Sequence, residues 1–175
     1  MRMEAIEQLR LQARNNAWAN QRFYDACCQL SQIEFDAGRS GFFPSIRETL
    51  QHILAVDRYY LDSLKEEGRG RSLYDDLLPR TAAELQAMQV EVDAALIAFC
   101  DTLSPDDLTK SVEQDRGEKG VRRERIDRTL LHLFQHQIHH RGQAHAMLSR
   151  TSAAPPQLDE FFLEFDRHEA AQKLQ

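Results

Sequence analysis

The chain has 175 residues, 42% hydrophobic and 29% charged, and its 22 basic against 28 acidic side chains give a net charge of −6. That is an ordinary balance for a globular protein and suits one domain over residues 1–175 with a sizeable core. The acidic excess argues against nucleic acid as a partner, and no apolar stretch is long enough to make a membrane span. The N-terminal Met1-Arg2-Met3-Glu4-Ala5 lacks the apolar core of a signal peptide, so a cytoplasmic protein is expected. Cys27, Cys28 and Cys100 are odd in number and lack metal-type spacing, and are read as small packing residues.

Only 7 Gly and 5 Pro occur. They cluster at a few points, which argues against a sandwich or barrel and leaves long segments with helical period. The first helix is predicted from about Met3 to Leu30, followed by a turn at Ser31 and a loop from Gly38 to Pro44. Ser45 with Glu48 forms a capping box that opens a second helix, Ile46 to about Glu66, which Gly68-Arg69-Gly70 stops. After Pro79, Thr81 with Glu84 opens a third helix that runs to about Leu103.

Ser104 to Arg125 is polar and reads as a long crossover with an extended piece; its basic run Arg122-Arg123-Glu124-Arg125 reads as a solvated loop. A fourth helix is expected from an N-cap at Asp127 to Ser149, and Leu158 to Phe165 is expected to form a short closing helix. Four long helices with two long connections predict an all-α four-helix bundle.

Five of the 7 histidines lie between His132 and His145. His132, His136 and His140 repeat every fourth residue, so their imidazoles share one helix face and suit a divalent transition metal. The i, i+4 pair resembles that of the zinc-binding H-E-x-x-H helix, but the Glu is missing and a metalloprotease is not supported. The apolar positions Leu130, Leu131, Leu133, Phe134, Ile138, Ala144, Met147 and Leu148 mark the inner side of the helix. His136 and His140 border that side, whereas His132 and His139 face solvent or another subunit.

Two histidines on one helix need a ligand from another element. His168 falls in a charged tail. His52 flanks the stripe Ile46, Leu50, Ile53, Tyr60 and Leu64 with a similar offset to His136. On residues alone, His52 also fits an ordinary helix histidine, and the pair also fits an exposed histidine-rich face. Asp57 lies on an apolar side, where an ion pair with an arginine such as Arg22 or Arg141 is preferred over a role in orienting an imidazole.

The chain resembles the DinB family of damage-inducible bacterial proteins over nearly its whole length. The likeness rests on Asn16-Ala17-Trp18-Ala19-Asn20-Gln21-Arg22, on Leu50-Gln51-His52-Ile53-Leu54-Ala55-Val56-Asp57, on His132 through Gln143, and on Pro155-Pro156-Gln157-Leu158-Asp159. It implies an up-down-down-up bundle, a homodimer, and a metal triad of His52, His136 and His140. Gln135 stands where such blocks commonly have asparagine. Relatives include bacillithiol- and mycothiol-dependent S-transferases and thiol-dependent maleylpyruvate isomerases, and fold alone selects none of these activities.

Two accounts of function follow. In the first, an ion on three histidines keeps an open position and activates a thiol or water toward a small electrophile, as an S-transferase or hydrolase. Zinc or nickel is expected ahead of iron or manganese, with a low-molecular-weight thiol as cosubstrate and Arg141 either orienting an anionic group or making a structural ion pair. In the second, the protein is a non-catalytic metal-binding stress-response or interaction protein. There the dimer surface is the functional face, and Trp18 and the outer histidines suit a partner helix.

Overall fold

The computed structural model describes residues 4–74 and 80–174. The expected helix start at Met3 lies outside them, as does Pro79. The fold is mainly helical with one small sheet: α1 (Ala5–Cys27), α2 (Gln32–Asp36), α3 (Ile46–Lys65), α4 (Ala82–Thr102), β1 (Ser111–Asp115), β2 (Val121–Arg125), α5 (Ile126–Leu148) and α6 (Glu169–Gln172).

Side-chain caps fix most of the helix starts, because the first N–H groups of a helix have no partner within it. Thr81 and Glu84 form the full capping box of α4, and Ser45 accepts from the Glu48 N–H at the start of α3. The predicted turn at Ser31 is another capping box, made with Glu34, and it opens the short α2. Asp127 lies inside α5 rather than at its N-cap, where it pairs with Arg125 and accepts from the Arg128 N–H. The stop of α3 comes before the predicted glycines, at Glu66, which takes a left-handed φ of 55°.

The polar crossover contains a hairpin in which Ser111 pairs with Arg125 and Asp115 with Val121. The basic run is therefore a strand, though its side chains are largely exposed as a solvated run requires. Leu158 to Phe165 forms no helix. That segment docks as irregular chain, with fully buried Phe161 against Trp18 at a ring separation of 5.7 Å. Trp18 is thereby covered by its own chain and is not free for a partner helix. Of the cysteines, Cys27 and Cys100 are buried packing residues and Cys28 is exposed.

The long helices close a cycle: α1 packs on α4, α4 on α3, α3 on α5, and α5 on α1. Two apolar cores are stacked along them. One contains Leu9, Ala13, Tyr59, Leu96, Leu130 and Leu133, and the other Phe23, Leu50, Leu54, Leu85, Ala144 and Met147. α1 and α5 run from the first core to the second, and α3 and α4 run the opposite way.

Between the cores lies a polar layer drawn from all four helices: Asn16 and Asn20, Asp57, Gln89 and Asp93, and Gln137 and Arg141, each no more than 5% exposed. Asp57 Oδ2 accepts from Gln89 and Gln137. Asp93 accepts from Asn16, Asn20 and Gln89, while Arg141 Nη1 donates to Asn16 and Asn20 at 2.9 and 2.7 Å. Arg141 is thus the arginine expected to accompany Asp57, but amides connect the two groups in place of a direct ion pair. Arg22 lies over the Trp18 ring and donates to the Gln157 carbonyl.

Desolvation raises Asp57 well above the ordinary carboxylate range and lifts Asp93 to about 6. A carboxyl with a raised folded pKa gives its full stability only below the unfolded value, about 4. As pH rises above that, the unfolded chain releases the proton while the folded chain keeps it, so stability falls. Replacing Asp57→Asn removes this loss, so urea unfolding between pH 4 and 7 should show the variant gaining on the wild type as pH rises. A constant difference would show that Asp57 keeps its charge. Phe161→Ala should cost about 3 kcal/mol or more and red-shift the fluorescence of Trp18, the only tryptophan of the chain.

Candidate metal centre

The polar layer also determines where the histidines fall. On α5, Gln137 and Arg141 each follow a histidine, so the bonds that fix these two residues set the height and rotation of His136 and His140. On α3, Asp57 is held five positions beyond His52. Because α3 and α5 run in opposite directions, the shared layer brings His52 level with the α5 pair. Their ligand nitrogens all lie within 4.8 Å of one another. Ring separations are 4.9 Å for His52–His136, 4.7 Å for His52–His140 and 4.5 Å for His136–His140.

His52 Nε2 and His136 Nε2 are 2.9 Å apart. Two imidazole lone pairs approach that closely only with a shared proton or a cation between them. Tetrahedral zinc with bonds of about 2.0–2.1 Å keeps ligand nitrogens roughly 3.3 Å apart, so a small ring movement would suit an ion. The Gln143 amide oxygen accepts from His140 Nδ1 at 2.9 Å, which puts the proton on that nitrogen and leaves Nε2 as the free donor. The Gln143 amide NH2 in turn lies 3.1 Å from His139 Nε2. His136 Nδ1 is buried without a hydrogen-bond partner among the described residues.

Burial pushes His52 down to about 4 and His136 to about 3, with neighbouring imidazoles adding repulsion. Burial also lowers His140, against an opposing hydrogen bond from Gln143. Neutral imidazoles are the form that coordinates, so these three histidines can hold a metal ion at neutral pH with little competition from protons.

Of the remaining histidines, His139 packs edge-on against His140 at 4.8 Å, and the others lie farther off. His132 packs edge-on against Tyr60, 6.2 Å from the His136 ring, and is exposed like His139. His145 meets the Pro156 carbonyl, and His168 caps α6. Gln135, which departs from asparagine, is exposed and makes no side-chain hydrogen bond to the cluster among the described residues. Leu131 and Ile138, expected on the inner side of α5, are 55% and 47% exposed.

Two further groups complete the site. Phe43 lies 4.4 Å from the His52 ring and 5.6 Å from the His140 ring, and Phe42 lies 6.1 Å from His140 while 76% exposed. Apolar rings in a turn-rich loop were the sequence signal for these two, and the i, i+3 spacing from His140 was the signal for Gln143.

Comparison with known proteins bears on this geometry. The model of the DinB family matches residues 5–172. The protein named DinB from Bacillus subtilis is 24% identical over 150 residues, covering 82% of this chain and 86% of its own. A DinB-like protein from Bacillus cereus shares the fold with a TM-score of 0.64 at 19% identity, over 81% of this chain and 89% of that one. A second, from Bacillus subtilis, has a TM-score of 0.61 at 15% identity, over 86% and 97%.

In the metal-free protein, long-range imidazole NMR should find His52 and His136 neutral at pH 5.5, with protonation only near 4 and 3. Titration of both near the ordinary imidazole value of about 6.5 would show an open, hydrated cluster.

Proposed function

The chain belongs to the DinB family, and on that premise we propose that it is a metal-dependent enzyme that activates a thiol or water against a small electrophile. The convergence of His52, His136 and His140 carries this reading. Three protein ligands leave at least one coordination position open, the arrangement of catalytic rather than structural sites. Zinc or nickel suits three imidazoles best, with iron or manganese next. A divalent ion supplies Lewis acidity that makes a thiol or water more acidic near neutral pH.

The chain's own residues do the rest. Gln143 holds the His140 tautomer, and the layer contacts of Gln137 and Arg141 keep the α5 pair from rotating. The half-buried Phe43 ring shields the cluster from bulk water on one side. Phe42 presents an apolar surface to an electrophile beside the open position. Arg141 takes no part in this chemistry, since its Nη1 is committed to the polar layer.

We take the closed cycle of long helices to be the up-down-down-up four-helix bundle of one domain. We place the protein in the cytoplasm as a homodimer that uses a small-molecule substrate and a low-molecular-weight thiol, without nucleic-acid or membrane partners. None of the described helices is long and apolar enough to cross a membrane. A second reading, a non-catalytic stress-response or interaction protein in which the ion only fastens α3 to α5, draws on the fact that these two helices provide all three donors.

Elemental analysis should find one divalent transition metal per chain in the wild type and a loss of most of it in His136→Ala. Equal metal content in the two would remove the site. Conjugation of thiols to monobromobimane should stop on chelation and return with metal. Metal-dependent thermal stability without conjugation, across several thiols, would instead establish the fastening role.

A further inference from the structure

α5 has a second working side. At about 100° per residue, Ile138, Arg141, Gly142 and His145 centre roughly 170° around the helix from His136 and His140. There a cavity of about 440 Å³ opens between α5, Asn15 of α1 and the docked segment that carries Leu158 and Phe162. The volume falls within the range of small-molecule sites, about 300–1,000 Å³. Its walls are mainly apolar, from Ile138, Leu158 and Phe162.

Its one lining cation among the described residues is Arg141. Arg141 is only 5% exposed, and its hydrogen bonds to Asn16, Asn20 and Gln137 all leave from Nη1. Neither Nε nor Nη2 donates to an acceptor among the described residues, and neither is sealed off as a buried unpaired atom. The Nε–Nη2 edge of a guanidinium is the fork that matches the two oxygens of a carboxylate.

Gly142 also lines the cavity. It sits inside α5, where glycine costs up to about 1 kcal/mol relative to alanine, yet a Cβ built there meets nothing within 4 Å. The position is therefore not forced by crowding, and its effect is to keep the cavity wall low. Asp159 at the rim disfavours ligands of high negative charge.

From this arrangement we propose that the cavity is a binding site for a small apolar monocarboxylate, whose carboxylate meets the Nε–Nη2 edge of Arg141 while its body packs on Ile138, Leu158 and Phe162. The site is separate from the histidine cluster and does not depend on what that cluster does.

Calorimetry on the full, metal-loaded chain tests it with phenylacetate against phenylacetamide, which has the same shape without the charge. Phenylacetate should bind saturably, and the amide roughly tenfold or more weakly. Since Arg141 variants risk unfolding, Gly142→Leu is the variant of choice. It fills the cavity from the helix side and should weaken phenylacetate binding by a similar factor while metal content and thermal stability are retained. Chelation of the metal should leave binding unchanged. Absence of binding, equal binding of acid and amide, or undiminished binding by Gly142→Leu would overturn the proposal. So would loss of binding on chelation, which would put the carboxylate at the histidines.

Discussion

Two carboxyl groups and a guanidinium lie in the middle of this protein, and the helices can pack in one register only because amides reach all three. A buried polar group without a partner costs more than the same group paired contributes, so such a layer acts mainly against wrong arrangements. Sliding α5 by one turn would put its apolar side chains out of step in both cores. It would also strip Asp57 of Gln137 and the asparagines of Arg141. The apolar cores supply most of the driving force, and the layer between them supplies the alignment.

That alignment makes the histidine cluster a by-product of folding. His136 and His140 each precede a layer residue on α5, and His52 lies about a turn and a half before Asp57 on α3. The imidazoles are brought together and stripped of water whether or not they favour it. Burial keeps them neutral, which is the state that binds a cation. Chemistry that would be expensive to assemble on loops is built here on two rigid helices, with Gln143 one turn away to choose the tautomer.

Much of this was legible in the sequence. The caps at Ser45 and Thr81 placed the starts of α3 and α4, and helical period together with a wheel chose His136 and His140 over His132. His52 rested more on family likeness, because nothing local distinguishes a ligand from an ordinary helix histidine until the opposite helix is known. The polar layer was only glimpsed, as a pairing of Asp57 with an arginine. Its members come from positions up to 125 residues apart, which no local pattern reports. The tail misled for a related reason: Leu158 to Phe165 has apolar spacing suited to a helix, but only Phe161, with Leu158 beside it, packs against the Trp18 cluster, while Phe162, Leu163 and Phe165 are exposed along an irregular path. Leu131 and Ile138 read as core on an averaged wheel and instead face outward, Ile138 onto a cavity.

The antiparallel course of α3 and α5 has a consequence for chain topology. His52 and His136 are neighbours in space but 84 positions apart along the chain, with α4 and the hairpin between them. A bond network joining them ties off nearly half the polypeptide as a single ring. Unlike a covalent crosslink, such a tie forms only once the fold has closed that long ring, so folding meets the entropic cost of closure before the tie can be made. Whatever bridges the imidazoles therefore binds the folded helices and not the unfolded chain, and tightness of coordination and resistance to unfolding become two measures of one closure.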